Sequence, residues 1–236
     1  MNNSGNVGKS MVCDTLLKPR IKQAQTIKIE TLNSDGSLDD KISSKNIKQV
    51  FERMDAIDVA LIDIGSSNIE NFMNNLSKLE GAHEDIDFFF IPTTTTPKQQ
   101  VDTISTIEGL LDLGVNKQQI KIIFNFYDPD LKVSQLYPLI FESSLSKTLG
   151  LDKMSNVFTI TDNPVFDMVG EMGKSFAAIA NDDRDFKELI RSTEDPVSRA
   201  LLSHQRTAHR LATGFNRELD LTFSKIIAAC GIVLEG

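Results

Sequence analysis

Asn3–Ser10 reads N-S-G-N-V-G-K-S, and Met11–Leu17 (MVCDTLL) can carry on from it as a helix. A glycine-bearing turn ahead of a helix start gathers backbone N–H groups and the positive end of the helix dipole at one place, which suits a phosphate. Lys9 adds a point charge for β- and γ-phosphate oxygens, and Ser10 adds a hydroxyl for Mg²⁺. The competing reading is a plain helix N-terminus capped by Ser4 or Asn6. Two departures accompany the motif. The pattern G-x-x-x-x-G-K-[ST] has its first glycine where this chain has Asn3. Such a loop also follows a β-strand, and here only Met1 and Asn2 stand before it. The expectation is a sheet whose first, central strand is missing from this sequence, through truncation or a start codon placed too far downstream. A slot left in mid-sheet would leave backbone groups unpaired on both neighbours.

Outward from the loop, short apolar runs alternate with helical patterns. Thr26–Leu32 (TIKIETL), Asp58–Ile64 (DVALIDI), Ile86–Ile91 (IDFFFI), Ile120–Phe126 (IKIIFNF) and Val157–Thr161 (VFTIT) read as strands, each closed by a turn cluster or proline. Strands apolar on both faces belong in a parallel sheet covered by helices. Ser44–Met54, Ile69–Leu79, Lys98–Leu113 and Leu136–Leu149 carry the helical pattern, with Val101, Ile104, Ile107, Leu110 and Leu111 as the apolar stripe of the third. The alternation predicts a doubly wound α/β fold, mostly parallel, with helices on both faces and a ligand at the strand-to-helix edge. From about Asp182 the strands stop, and Arg184–Ile190, Pro196–Phe215 and Arg217–Ala229 read as consecutive helices. Nothing in the sequence marks a linker, so residues 1–236 read as one domain, with 182–236 as its helical extension.

The composition excludes several classes. At 40% hydrophobic and 25% charged the chain is ordinary for a globular protein. No apolar run nears the ~20 residues of a membrane span, and Met1–Ser10 lacks the basic-then-apolar order of a signal peptide. Cys13 and Cys230 make no disulfide framework, so a reducing, cytoplasmic setting is expected. A net charge of −8 argues against a protein that coats nucleic acid over its whole surface.

A second motif supports the loop. Val59–Asp63 is an apolar strand ending in a carboxylate, the arrangement that holds the water shell of nucleotide-bound Mg²⁺. The segments Ser4–Ser10, Ile29–Gly36 (IETLNSDG), Leu61–Asn68 (LIDIGSSN), Phe90–Pro97 (FIPTTTTP), Ile123–Asn125 (IFN) and Thr161–Phe166 (TDNPVF) together resemble the ParA/MinD-type deviant Walker ATPases. Within these P-loop NTPases they most resemble the StbB branch of plasmid stability proteins.

The resemblance implies a bacterial cytoplasmic ATPase that binds ATP and Mg²⁺, dimerises on nucleotide and works with a DNA-binding plasmid stability protein. By position it implies phosphate contacts from Gly5, Asn6, Val7, Gly8, Lys9, Ser10 and Met11, and metal contacts from Ser10 and Asp63. Base contacts are implied for Asn125 and for Asn163-Pro164. The family's second lysine falls at Ser4, and its water-orienting acid falls near Asn33, with Asp35 the nearest carboxylate. Catalytic roles therefore go to Lys9, Asp63 and Asp35, and hydrolysis is expected to be slow. The alternatives are a non-hydrolysing adaptor that signals by nucleotide occupancy, and a GTP-dependent switch.

Asn125-Phe126-Tyr127-Asp128 has the N-x-x-D spacing of guanine readers, but Phe126 stands where they carry lysine, which points to adenine. Arg199, Arg206 and Arg210 lie within about 40° on one helix, either as a phosphate-tracking stripe for non-specific DNA or as a solvated face. Leu219–Leu234 is amphipathic but has only Arg217 and Lys225 beside it, so packing is expected rather than stable membrane insertion. Pro92–Pro97, with four threonines, would lie at the ligand edge.

Overall fold

β-Branched and aromatic runs form strands close to where the sequence puts them. The computed structural model describes residues 1–30, 41–43 and 46–232. Its strands are β1 (Ala24–Ile29), β2 (Lys41–Ile42), β3 (Val59–Ile64), β4 (Phe89–Thr93), β5 (Ile120–Tyr127) and β6 (Phe158–Thr161). Every pairing is parallel, and the strands form two three-stranded sheets, β2-β1-β3 and β4-β5-β6. The α/β class with parallel sheets is therefore as expected. β2 is an addition that the sequence reading lacks. β1 begins two residues earlier than expected, at Ala24, and the turn expected at Asn33–Gly36 lies outside the described residues.

The chain divides into two compact units, Met1–Thr161 with Phe223–Gly236, and Asp162–Thr222. In the first, α1 (Lys9–Met11) opens behind the glycine turn and passes into a wider i→i+5 turn over Val12–Leu17. α2 (Ile47–Met54) is capped by Asn46, whose side chain accepts from the Gln49 N–H at 3.4 Å. Val50 of α2 and Ile69, Phe72 and Leu76 of α3 (Ile69–Leu76) bury against Ile27, Ile29 and Ile64 of the first sheet. Ile107 and Leu110 of α4 (Pro97–Asp112) bury against Phe89, Ile91, Ile122 and Phe124 of the second.

The α4 helix forms as expected and Ile104, Ile107, Leu110 and Leu111 of its expected stripe pack on the core, but the stripe's first residue does not. Val101 is 54% exposed, while Gln100, Thr103 and Thr106 are buried beside Ile107 and Leu110. The helix expected over Leu136–Leu149 is three short ones, α5 (Val133–Leu136), α6 (Pro138–Glu142) and α7 (Ser144–Thr148). Pro138 forces Tyr137 out of helical geometry, to φ −122°, ψ 52°, because its ring crowds the preceding residue. Ser143, at ψ 161°, makes the second break.

The second unit holds α8 (Val165–Met172), α9 (Phe176–Ala180), α10 (Phe186–Ser192) and α11 (Pro196–Cys230), the last running on into the first unit. Phe166, Phe176 and Phe215 meet with ring centroids 5.4–6.1 Å apart. α10 is capped by Asp185, which accepts from the Lys187 and Glu188 N–H groups, and Asp195 accepts from Ser198 at the start of α11. The two helices expected over Pro196–Phe215 and Arg217–Ala229 are one of 35 residues, since no proline interrupts it after Pro196 and the single Gly214 costs only ~1 kcal/mol. No described helix is long and apolar enough to cross a membrane.

Candidate functional site

The loop's shape is set by two left-handed residues around a buried one. Asn6 has φ 55° and Gly8 φ 88°, with Val7 fully buried between them. Asn tolerates that region better than most residues, and Gly occupies it without a Cβ penalty. A Cβ on Gly8 would also strike the Asn125 side-chain amide. Among the described residues, the backbone N–H groups of Gly5, Asn6 and Gly8 donate to no protein acceptor.

Buried polar groups pin the loop in place. Asn2, with no exposed surface, donates through Nδ2 to Pro92 O at 2.9 Å and Thr103 Oγ1 at 2.7 Å, and its Oδ1 accepts from the Ser4 N–H at 2.7 Å. Asn3 N–H donates to Thr106 Oγ1, and Gln99 Nε2 donates to Gly5 O at 3.0 Å. Gln99 is itself hydrogen-bonded to Thr94, within the threonine run. The sequence reading missed Asn2, Gln99, Thr103 and Thr106. The signal for the last three was polar residues at helical spacing on α4.

Lys9 folds back over the loop, donating to Ser4 O at 2.6 Å and Asn2 O at 3.1 Å. Burial holds its ammonium below the ordinary lysine pKa, against the opposing pull of Asp63. Ser10 Oγ donates to Asp63 Oδ2 at 2.7 Å, joining the start of α1 to the carboxyl end of β3 across 53 residues of sequence. Ser4 is 6% exposed, so the position of the second lysine is a buried serine whose carbonyl holds Lys9.

Asn125 ends the regular part of β5. Its Nδ2 donates to Val7 O at 3.1 Å, its carbonyl accepts from the Tyr137 hydroxyl at 2.6 Å, and its buried Oδ1 has no partner among the described residues. The next residue, Phe126, takes φ 59° at a register shift in the β5–β6 ladder and is 38% exposed. Asp128 Oδ1 accepts from the Asp130 N–H, so this carboxylate closes its own turn.

The other expected residues sit elsewhere or beyond description. Asn33 and Asp35 lie outside the described residues. Asn163 and Pro164 belong to the second unit, where Asn163 Oδ1 accepts from the Val165 N–H at the start of α8. Arg199, Arg206 and Arg210 share α11 but differ in setting. The Arg199 guanidinium holds Thr193 O at 2.6 and 3.1 Å, Arg206 buries Nε without a partner among the described residues, and Arg210 is exposed. No group of three or more His, Cys, Asp or Glu able to hold a metal occurs among the described residues.

Lys9 and Asp63 line a cavity of about 1270 Å³, together with residues of β3 and β4. No protein-family description, curated protein or solved structure matches the chain.

Proposed function

We propose that this protein binds a magnesium nucleotide, ATP rather than GTP, at Gly5–Met11 and works as a slowly hydrolysing switch of the deviant Walker kind in plasmid maintenance. The observation that carries the reading is the 2.7 Å bond between Ser10 Oγ and Asp63 Oδ2. It brings a loop hydroxyl and a strand-end carboxylate, far apart in sequence, to one point beside Lys9, as a site for a phosphate-bound hard cation requires.

Three further features fit such a ligand. The N–H groups of Gly5, Asn6 and Gly8 stand ready for phosphate oxygens. Gly8 lets the Asn125 amide pack against the turn, where any Cβ would strike it, and so keeps the turn's shape. Asn125 Oδ1 is a buried acceptor beside the loop that still needs a donor. Mg²⁺, when bound, supplies charge against the phosphate oxygens, with Ser10 and Asp63 as the residues to hold it or its water shell. Lys9 already gathers two carbonyls, and a γ-phosphate offers its ammonium a stronger, charge-assisted partner. Asp35 is the carboxylate proposed to orient water.

The proposal extends to nucleotide-dependent dimerisation and a DNA-binding plasmid stability protein as partner. The exposed Arg199 and Arg210 are the groups to meet DNA phosphates non-specifically. A second reading, an adaptor that signals by occupancy without hydrolysis, is favoured by Ser4, whose buried hydroxymethyl group cannot stand in for a lysine.

Titration calorimetry tests the assignment. Lys9→Ala should weaken Mg-ATP binding by about 2–3 kcal/mol, roughly 30- to 150-fold. Unchanged affinity would remove the loop from the site. In the same titrations GTP should bind more weakly than ATP, and equal binding would bring Asp128 back as a base reader.

A further inference from the structure

A second cavity, of about 760 Å³, opens at the amino ends of the second sheet's strands, where Ile120 begins β5 and Phe158 begins β6. The phosphate loop meets the opposite ends: Asn125, which holds Val7 O, stands ~16 Å along β5 from Ile120. Parallel α/β sheets take their ligands outside the carboxyl ends of the strands, so the fold does not by itself account for a cavity here. All of its lining belongs to the first compact unit.

The lining reverses the sign of the chain. Lys117, Lys121, Lys147 and Lys153 stand against two acids, Glu84 and Asp87, a local charge of +2 (four minus two) on a protein of −8. Lys117, Lys147 and Lys153 are exposed and form no ion pair among the described residues. Lys121 is half-buried, donating to Ala229 O at 3.3 Å with its Nζ 6.0 Å from the centre of the Phe88 ring. One such bond leaves the rest of its ammonium hydrogens for another acceptor. The carbonyls that end α7 would repel an anion, but Asn156 Nδ2 donates to Leu149 O at 3.3 Å and Gly150 O at 3.1 Å. Like charges around a concave wall add their fields, and a bound anion relieves their mutual repulsion.

We propose that this cavity binds a compact polyphosphate, an anion of linked phosphates, at a site separate from the phosphate loop. Lysines offer point charges on flexible stems rather than planar forks, which suits clustered phosphate oxygens better than a single carboxylate. The volume lies within the roughly 300–1,000 Å³ of small-molecule sites. A nucleic-acid duplex wants cations strung along an outer face to follow its backbone, whereas a concave set of lysines serves a short anion. The phosphates belong either to a free inorganic chain or to the tail of a nucleotide. Phe88, half-buried beside Lys121, separates the two sources: a base stacks on its ring, and an inorganic chain has no use for it.

Titration calorimetry with tripolyphosphate decides it, on the full chain carrying Lys9→Ala to weaken the phosphate loop. Adding Lys117→Gln, Lys147→Gln and Lys153→Gln should lower affinity at least ~10-fold at low salt. Adding instead Lys48→Gln, Lys78→Gln and Lys225→Gln, outside the cavity, changes the net charge equally and should keep affinity within ~2-fold. Equal loss in both would make net charge the cause and overturn the site, as would unchanged affinity in the first or no binding by the parent. Both triple variants should unfold within about 2 °C of the parent. Hydrogen exchange on the Lys9→Ala protein needs no cavity substitution: tripolyphosphate should slow the amides of residues 117–121 and 147–156 at least ~3-fold, and no slowing there overturns the proposal. ATP binding that Phe88→Leu weakens supports the site with a nucleotide as its source. Tripolyphosphate binding that Phe88→Leu leaves unchanged, with ATP no tighter, supports it with an inorganic chain. A short DNA duplex that binds as tightly and loses as much in the cavity variant overturns the compact ligand. These readouts are local to the cavity, so their failure leaves the phosphate loop standing.

Discussion

Gly8 is held by two constraints at once. Its φ of 88° costs any other L-residue about 1–2 kcal/mol, and a Cβ would press on the Asn125 amide that secures Val7 O. Gly8→Ala should therefore lower the unfolding free energy by about 2–4 kcal/mol in urea titration. Asn125→Ala in the same chain should recover only the part due to contact, because the backbone strain remains. Full recovery would mean that φ strain contributes nothing. At this scale the motifs singled out Gly8, Lys9, Ser10 and Asp63, and of these Ser10 and Asp63 do meet. Asn2 was not, because a single buried amide that satisfies three partners leaves no periodic trace.

Among the elements, α4 shows how a helix read with the right apolar stripe can still bury polar residues that the stripe does not predict. Hydrophobic phase assumes a wholly apolar buried side, and Val101 alone of the expected stripe lies outside it. The helix also turns Gln100, Thr103 and Thr106 inward, where Thr106 accepts from the Asn3 N–H, Thr103 accepts from the Asn2 side chain, and Gln100 donates to Thr95 O and Leu136 O. Thr103 Oγ1 accepts from Asn2 Nδ2 and lies 2.8 Å from Thr93 Oγ1 and 2.7 Å from Gln99 O. Thr103→Val keeps the shape, removes the hydroxyl, and should cost about 1–3 kcal/mol by chemical denaturation. Val101→Thr, on the exposed side, should change stability by less than about 0.5 kcal/mol. If the two variants are equal, the buried hydroxyl is not what fixes the loop. The strands were easier to read than the helices, because apolar runs between turn residues leave little choice. The breaks at Tyr137 and Ser143 were harder, since both lie inside an apolar periodic stretch.

For the whole molecule, the enclosed Met1 amino group sets a pH dependence. Its pKa falls from an ordinary 8.0 to about 5, through burial first and Lys9 second, with Asp63 and Cys13 opposing. Between pH 5 and 8 the unfolded chain binds the extra proton and the folded chain does not, so stability rises with pH across that window. The gain reaches about 2–4 kcal/mol. Urea unfolding at pH 5, 6.5 and 8 should show the slope, and amino-terminal acetylation should remove it. A slope that survives acetylation belongs to another group. The α/β class and the parallel pairing were legible in the alternation of strands and helices. The division at Asp162 was not, since no change of composition marks it. The positions of β3 and β4 at the edges of their sheets also bear on colloidal behaviour. A net charge of −8 keeps copies apart at long range, but an unfilled apolar edge is a template on which another extended chain can pair at short range. At short range, where net charge no longer decides, such a strand edge is the place for two copies to pair.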